Sequence, residues 1–397
     1  MVGIDIEAVR RDTPGCRQRI HFNNAGASLV PLPVLRTIID HLNLESQIGG
    51  YEAAEAASDR ISAVYDSAAR LLNCAPDEIA LVENATRAWD AVFYSIPFHS
   101  GDRIVTGCSE YCSNYMALLQ IARKTGVEIV VVGDDDSGQI DLEQLSDVVD
   151  ERVKLVALTH VPTSGGLVNP AVEVGAIARQ AGALYLLDAC QSAGQMPIDV
   201  RVIGCDFLST TGRKFLRGPR GTGVLFVDRE RIDRLEPAIV EVGSARWTEK
   251  NAFTWRPGAK RFQTWEVSYA LQLGLGRAID YALDLGLASI WDRIRELANA
   301  LRQCLEAIDG VRVHDIGVTK CGIITFTVPG INSDAAADFL RLKGVNVDVS
   351  TIEDSRLDFE ARGLPSLVRA SVHYFNTLEE VLRFSAHIGS LSAAHIH

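Results

Sequence analysis

The chain has 397 residues, 47% hydrophobic and 23% charged, with a formal net charge of −12. That length exceeds one ordinary core, so two domains of a globular protein are expected. The acidic surplus argues against a nucleic-acid partner, which needs a basic face. No run reaches about 18 apolar residues without a charge, so no membrane-spanning helix is expected. The opening MVGIDIEAVRRDTPGC lacks the apolar core of a secretory signal. Eight cysteines, at 16, 74, 108, 112, 190, 205, 304 and 321, form no CxxC pair. They are expected to be reduced thiols of a cytoplasmic protein, mostly buried, and no metal site is expected.

Taken in order, the first motif is Asn23-Asn24-Ala25-Gly26, whose residues tolerate positive φ and suit a turn. Helical periodicity runs over 34–46, breaks at Gly49-Gly50-Tyr51, and resumes as one long alanine-rich helix over 52–72. A short strand at 80–82 leads into Glu83-Asn84-Ala85-Thr86-Arg87 and a helix. A strand running into small and hydroxyl residues at a helix start is an anion site, because free N–H groups and the helix dipole face the ligand. Thr86 capping its own helix is the plainer alternative. Strands follow at 103–106, 127–132 and 154–158, with a helix over 142–149. The first runs on to Glu110-Tyr111-Cys112-Ser113-Asn114, and the last into Thr159-His160-Val161-Pro162-Thr163-Ser164-Gly165-Gly166.

The stretch 182–227 carries the densest chemistry. Strands are expected at 183–187, 205–208 and 224–227. Asp188 and Gln191 leave the first, and Ser209-Thr210-Thr211-Gly212-Arg213-Lys214 follows the second. Strands alternating with helices imply a mostly parallel sheet covered on both faces, with ligands at the C-terminal strand ends. Residues 246–268 are aromatic and basic, and on their own suggest a surface loop. Helices over 270–285 and 287–305, a strand at 322–328 and a Ser333-Asp334 capped helix from near Ala335 complete the pattern.

An acid leaving one strand and a lysine among hydroxyls after the next suit pyridoxal phosphate (PLP). That cofactor needs a lysine for its Schiff base, a carboxylate facing its pyridine nitrogen, and donors for its phosphate. A carboxylate there favours the protonated ring, the better electron sink. Singly these residues mean little. A loop lysine is usually a solvated charge, and an Asp closing a strand is commonly a helix N-cap. Their coincidence and order carry the reading.

D-A-C-Q-S, then T-G-R-K, then G-x-x-G-x-G before a strand, resembles the class V aminotransferase family over residues 22–376. These are PLP enzymes of fold type I and include cysteine desulfurases, selenocysteine lyase, kynureninase, isopenicillin N epimerase-like proteins and C–S lyases. The resemblance implies an α/β fold with a large PLP-binding domain at 31–249. A smaller α+β domain would be formed by 1–30 with 250–397. It makes Lys214 the Schiff-base lysine, pairs Asp188 with the pyridine nitrogen, and has Gln191 donate to the ring hydroxyl oxygen. Ala85, Thr86, Thr211 and Arg213 would bind the phosphate, with Ser209 close by. Tyr111 would stack on the ring. Thr163 stands where the family has a cofactor-contacting Asn, and Arg87 where it has Glu. Asn24 falls in a loop over the active site, and Tyr51 close to the substrate. Arg261-Phe262-Gln263-Thr264 is similar to R-F-E-x-G-T, through which Thr264 would reach the partner's phosphate site. A homodimer with shared active sites follows from that resemblance.

At the far end, Arg369-Ala370-Ser371-Val372-His373-Tyr374-Phe375-Asn376-Thr377 is similar to the desulfurase R-x-S-x-x-x-Y-N-T, whose arginine clamps an amino acid carboxylate. A surface salt bridge is the plainer role for Arg369. Desulfurases also carry R-T-G-H-H-C, whose Cys takes sulfur as a persulfide. The corresponding Val349-Ser350-Thr351-Ile352-Glu353-Asp354-Ser355 has no cysteine, and Ser350 replaces a second arginine. DSRLDFEARGLPSLVRASVHYFNT instead resembles a group that includes the ergothioneine-pathway C–S lyases. The expectation is a PLP-dependent C–S β-lyase, cleaving an S-substituted cysteine or cysteine sulfoxide to a sulfur product, pyruvate and ammonia. An aminotransferase or amino acid epimerase of the same family is the alternative, as is desulfurase-like activity without a persulfide cysteine. A non-catalytic relative would be marked by loss of Lys214 or Asp188, and both are present.

Overall fold

A computed structural model describes residues 3–396. Its central sheet has seven strands: β1 (Ile79–Val82), β2 (Arg103–Gly107), β3 (Glu128–Val132), β4 (Val153–Thr159), β5 (Leu184–Asp188), β6 (Phe207–Thr211) and β7 (Gly223–Val227). Their order across the sheet is β1-β7-β6-β5-β4-β2-β3, and only β7 runs antiparallel to its neighbours. Side chains alternate between two cores. Val156, Leu158, Tyr185, Leu187, Val224 and Phe226 enter one, while Leu155, Ala157, Leu186, Leu225 and Val227 enter the other. Burial on both faces is why these strands read as continuous apolar runs rather than alternating ones.

The covering helices are α1 (Leu32–Ile48), α2 (Gly50–Ala56), α3 (Ser58–Leu72), α4 (Ala85–Phe93), α5 (Cys112–Thr125), α6 (Leu142–Val148), α7 (Ala171–Gln180) and α8 (Tyr269–Leu285). The single helix expected over 52–72 is two, because Ala57 leaves helical geometry at φ −103°, ψ 8°. Alanine carries no signal for such a break. The strand expected at 205–208 lies later and takes in Ser209 and Thr211. Both are paired, Ser209 opposite Asp188 and Thr211 opposite Gly223. Residues 246–268 are not simply loop: Ala245–Glu249 and Ala252–Trp255 form an exposed hairpin. Leu275 and Ile279 of α8 belong to the sheet's core although they follow residue 250.

A second, antiparallel sheet has the order β8-β9-β11-β10, from β8 (Arg312–Val313), β9 (Ile323–Thr327), β10 (Asp348–Ser350) and β11 (Leu367–Ser371). It packs with α9 (Leu287–Glu306), α10 (Ser333–Leu342) and α11 (Leu378–Ile396) around Ile294, Leu301, Phe326, Val368 and Phe384. Asn332, not Ser333 or Asp334, caps α10, accepting from the Asp334 N–H at 2.7 Å. The N-terminal segment joins this core through Val9, Ile20 and Phe22. Ile20 and His21 pair in parallel with Val345 and Asn346. Among the described residues no helix is long and apolar enough to cross a membrane.

The two sheets meet at the loop after β6. Arg217, buried and left-handed at φ 60°, donates to Leu29 O at 2.9 Å, to the Tyr374 hydroxyl at 2.8 Å and to the Thr13 hydroxyl at 2.6 Å. The Phe375 ring centroid lies 4.5 Å from its guanidinium carbon, which gives the cation an electron-rich face. His373 lies between Phe215 O at 2.9 Å on Nε2 and the Tyr374 N–H at 2.9 Å on Nδ1. His21 is held likewise, with Ala27 O on Nε2 and the Asn346 amide on Nδ1.

In both rings Nδ1 accepts, so a second proton there would meet a donor. Burial lowers the His21 pKa to about 4 and that of His373 well below its ordinary value. A depressed folded-state pKa contributes stability above the unfolded value near 6.5, and that stability is lost as pH falls toward 4. Thermal melts should therefore show Tm falling over that window, and His21→Asn should flatten the slope. A melt series level down to about pH 4 would contradict this assignment of neutral rings.

Candidate active site

One cavity lies at the carboxyl ends of β4, β5 and β6, where the strands stop and their loops diverge. Ala85, Thr86, Tyr111, Thr163, Asp188, Gln191, Thr211, Arg213 and Lys214 all line it, together with Asn84, Thr159, Val161 and Cys190. Asp188 closes β5 in full burial. Its Oδ1 accepts from the Cys190 N–H at 2.8 Å and its Oδ2 from Asn114 Nδ2 at 2.9 Å. Lys214 follows β6 and is also buried. Burial lowers its pKa, Cys190 and Asp188 pull it back up, and Arg213 and Arg369 push it down again. A lysine so placed reaches the neutral amine that both Schiff-base formation and proton abstraction require. The Tyr111 ring centroid stands 6.0 Å from its Nζ.

The start of α4 supplies an anion site. Asn84 is its cap, accepting from the Arg87 N–H at 3.0 Å, so Thr86 is not the capping residue. The first backbone bond of the helix runs from Ala88 N–H to Asn84 O. The earlier N–H groups of Ala85 and Thr86 therefore stand at the positive helix end, free of helical partners. Arg213 adds a guanidinium, anchored by donation to Gly26 O. Burial, and then Arg220, lower its pKa from the ordinary arginine value. Gly223 permits the close approach of this turn to β7, since a Cβ there would lie 2.7 Å from the Asn84 carbonyl carbon. The hydroxyl of Thr211 donates to Thr222 O at 3.2 Å, and one Gln191 amide hydrogen goes to Ala25 O at 3.2 Å.

Arg369 is buried on β11, although the Asp348 side chain it pairs with is about half exposed. Its Nη1 donates to the Thr163 hydroxyl at 2.6 Å, its Nη2 pairs with Asp348 at 2.6 Å, and its Nε has no partner. Thr163 thus joins the cavity to Arg369 rather than serving the cofactor alone.

Arg369 is itself outside the lining of this cavity, and so are four other expected residues. Asn24 is a structural residue, because its Nδ2 donates to Ser371 O and His21 O while its Oδ1 accepts from the Ser28 hydroxyl. Those bonds stitch the N-terminal segment to β11. Tyr51 is 76% exposed on α2. Ser209 is buried beside Asp188 with an unpartnered hydroxyl, nearer the strand's middle than Thr211. Thr264 donates to Glu83 at 2.6 Å and lines a separate cavity with Arg87, Asp90 and Tyr94. Sequence reasoning assigned no role to Asn84, Asn114, Cys190 or Asp348. A polar residue just ahead of a helix start pointed to Asn84, and the i,i+4 spacing of Glu110 and Asn114 pointed to a shared face.

A carboxylate at a strand end, a buried lysine, an aromatic ring and a helix start with a guanidinium together fit PLP. Lys214→Ala should abolish the visible absorbance of covalently held cofactor. Gly223→Ala should displace Asn84 and raise the dissociation constant for added cofactor by about tenfold, roughly 1.4 kcal/mol, measured by absorbance titration. Unaltered affinity in a folded Gly223→Ala protein would detach the Asn84 turn from phosphate binding.

The family model for class-V aminotransferases matches residues 20–384. A protein of Methanothermobacter thermautotrophicus named "Probable cysteine desulfurase" is 30% identical over 96% of both chains. A Synechocystis protein of the same name is 31% identical over 94% of this chain and 92% of its own. The apo structure of a cysteine desulfurase from Thermococcus onnurineus superposes with a TM-score of 0.93 at 27% identity, covering 99% of this chain and all of that one. A cystine C–S lyase, solved with its product cysteine persulfide, shares the fold at a TM-score of 0.86 and 22% identity over 95% and 99% of the two chains. The chain belongs to the class-V aminotransferase family, as a cysteine desulfurase-like enzyme of PLP fold type I with pyridoxal phosphate as its cofactor.

Proposed function

We propose that this enzyme is a C–S β-lyase that cleaves an S-substituted cysteine or cysteine sulfoxide to a sulfur product, pyruvate and ammonia. The observation that carries the reading is segment 349–355, which contains no cysteine although it is tied to the residues on either side of Tyr111, itself in the cavity lining. Asp354 O accepts from the Cys112 N–H at 3.2 Å, and the Ser355 hydroxyl donates to Glu110 O at 3.2 Å. A persulfide-forming nucleophile is therefore missing from this stretch. Cys190 does line the cavity, but burial and Asp188 push its thiol well above the ordinary range, and a neutral thiol accepts sulfur poorly. Elimination needs no acceptor.

Bound here, the cofactor supplies an electron sink for the substrate's Cα. Arg369 holds the substrate carboxylate with its unpartnered Nε–H. Lys214 Nζ takes the Cα proton, which burial makes possible by favouring the neutral amine. Asp188 would face the ring nitrogen and hold its proton, and Tyr111 would supply an aromatic surface for the ring. The Cβ–S bond breaks with its electron pair on sulfur, and the 2-aminoacrylate released takes up water to give pyruvate and ammonia.

The same reading takes the chain as a homodimer with shared active sites. Leu35, Ile39 and Leu42 form an exposed apolar stripe on α1, Trp247 and Trp265 are exposed, and Tyr51 and Thr264 lie away from their own cavity. It also groups the N-terminal segment with the β8–β11 sheet as the smaller domain, through their common core.

Purified holoenzyme given an S-alkyl cysteine sulfoxide should release pyruvate and ammonia in equal amounts. Amino-group transfer to a 2-oxo acid without pyruvate, or deuterium exchange at Cα without elimination, would replace this reading with an aminotransferase or an epimerase. Arg369→Lys, which keeps the charge but loses the planar fork, should raise KM about tenfold. An unchanged KM would remove Arg369 from carboxylate binding.

A further inference from the structure

Glu110 lies in the turn between β2 and α5, fully buried, and is not among the residues that line the cavity. Three donors converge on its Oε1: the Tyr111 N–H at 2.8 Å, Asn114 Nδ2 at 2.9 Å, and the Thr159 hydroxyl. The Thr106 hydroxyl donates to Oε2 at 3.0 Å. Asn114 Nδ2 also donates to Asp188 Oδ2 at 2.9 Å. An amide has two hydrogens, so Asn114 spends both on carboxylates, one on each side. Neither carboxylate could face the amide oxygen, so this placement also fixes which way the Asn114 side chain is turned.

We infer that Glu110 is a positioning residue for the cofactor ring: a second buried anion, joined to Asp188 through Asn114, so that two negative charges hold the proton on the ring nitrogen. Glu110 acts through Asn114, since it does not reach the cavity itself. A second negative charge behind Asp188 makes the potential at the ring nitrogen more negative, which favours the ring's protonated form. Burial raises the Glu110 pKa overall, against the Thr159 and Asn114 donors, with Asp188 adding to the rise and the Tyr111 N–H opposing it. The geometry that favours the charged form is the pair of fixed N–H donors, from Tyr111 and Asn114, on one oxygen. The inference rests on the cofactor and on Asp188, and holds whichever substrate bond is cleaved.

The test is nitrogen-15 NMR of holoenzyme reconstituted with ring-labelled cofactor, titrated between about pH 6 and 9. The wild type should show a protonated ring nitrogen throughout. Glu110→Gln keeps the shape and removes the charge, and should weaken ring-nitrogen protonation at least about tenfold, a one-unit fall in the pH of proton loss. Glu110→Asp should recover part of that loss. A folded Glu110→Gln holoenzyme, with wild-type Tm and cofactor content, that gives the wild-type nitrogen-15 profile would overturn the inference. Should that variant fail to accumulate, wild-type holoenzyme made with carboxyl-carbon-13 glutamate answers alone. Every glutamate signal at the ionised position near neutral pH supports the second charge, and a protonated one assigned to the buried site sinks it.

Discussion

The rest of the site depends on holding one buried carboxylate, Asp188, in place at the end of a strand. The fold does this with the Cys190 N–H on one oxygen at 2.8 Å and the Asn114 amide on the other at 2.9 Å. The first donor comes from the turn that follows β5, and the second from α5, reached through the neighbouring strands β4 and β2. An acid at the end of a central parallel strand is the one position where both can meet it.

A second requirement is that the lysine be aimed. Lys214 stands in a loop, and loops are ordinarily mobile. Here the loop is clamped from the far side. Arg217 reaches Leu29, Thr13 and Tyr374, and His373 donates to Phe215 O, so the lysine loop is stitched to the N-terminal segment and to the turn that follows the strand carrying Arg369. A buried guanidinium is costly to desolvate, and three hydrogen bonds with two aromatic faces offset that cost. Lys214 and Arg369 are therefore tied into one hydrogen-bonded assembly built from both sheets.

Charge is distributed with similar economy around Arg369. Its pairing with Asp348 is set by strand register, since the two residues face each other across β10 and β11. The guanidinium is thus compensated within the fold, and one edge, Nε, is left unsatisfied. Breaking such a pair leaves an uncompensated buried charge, which is more damaging than replacing both members. Asn24 shows the opposite outcome for a residue from the same neighbourhood, every polar atom of its side chain being spent on the fold.

Much of this was legible in the amino-acid order. Continuous apolar runs ending in Asp188, hydroxyls leading to Lys214, and a small-residue turn at Ala85 and Thr86 announced a parallel sheet with an anion site and a lysine at its strand ends. Those features depend on local pattern, which residue chemistry and periodicity express directly. The break at Ala57, the partnership of Asp348 with Arg369, the removal of Asn24 from the site and the exposure of Tyr51 could not be read there. Each depends on what a side chain meets across tens or hundreds of residues of chain, and hydrogen-bond competition at such distances leaves no trace in local spacing. By itself, then, the sequence determined the cofactor chemistry and the class of fold. Only the tertiary structure decided which polar groups remain free for a ligand, because satisfaction of buried donors and acceptors is settled by contacts between distant segments.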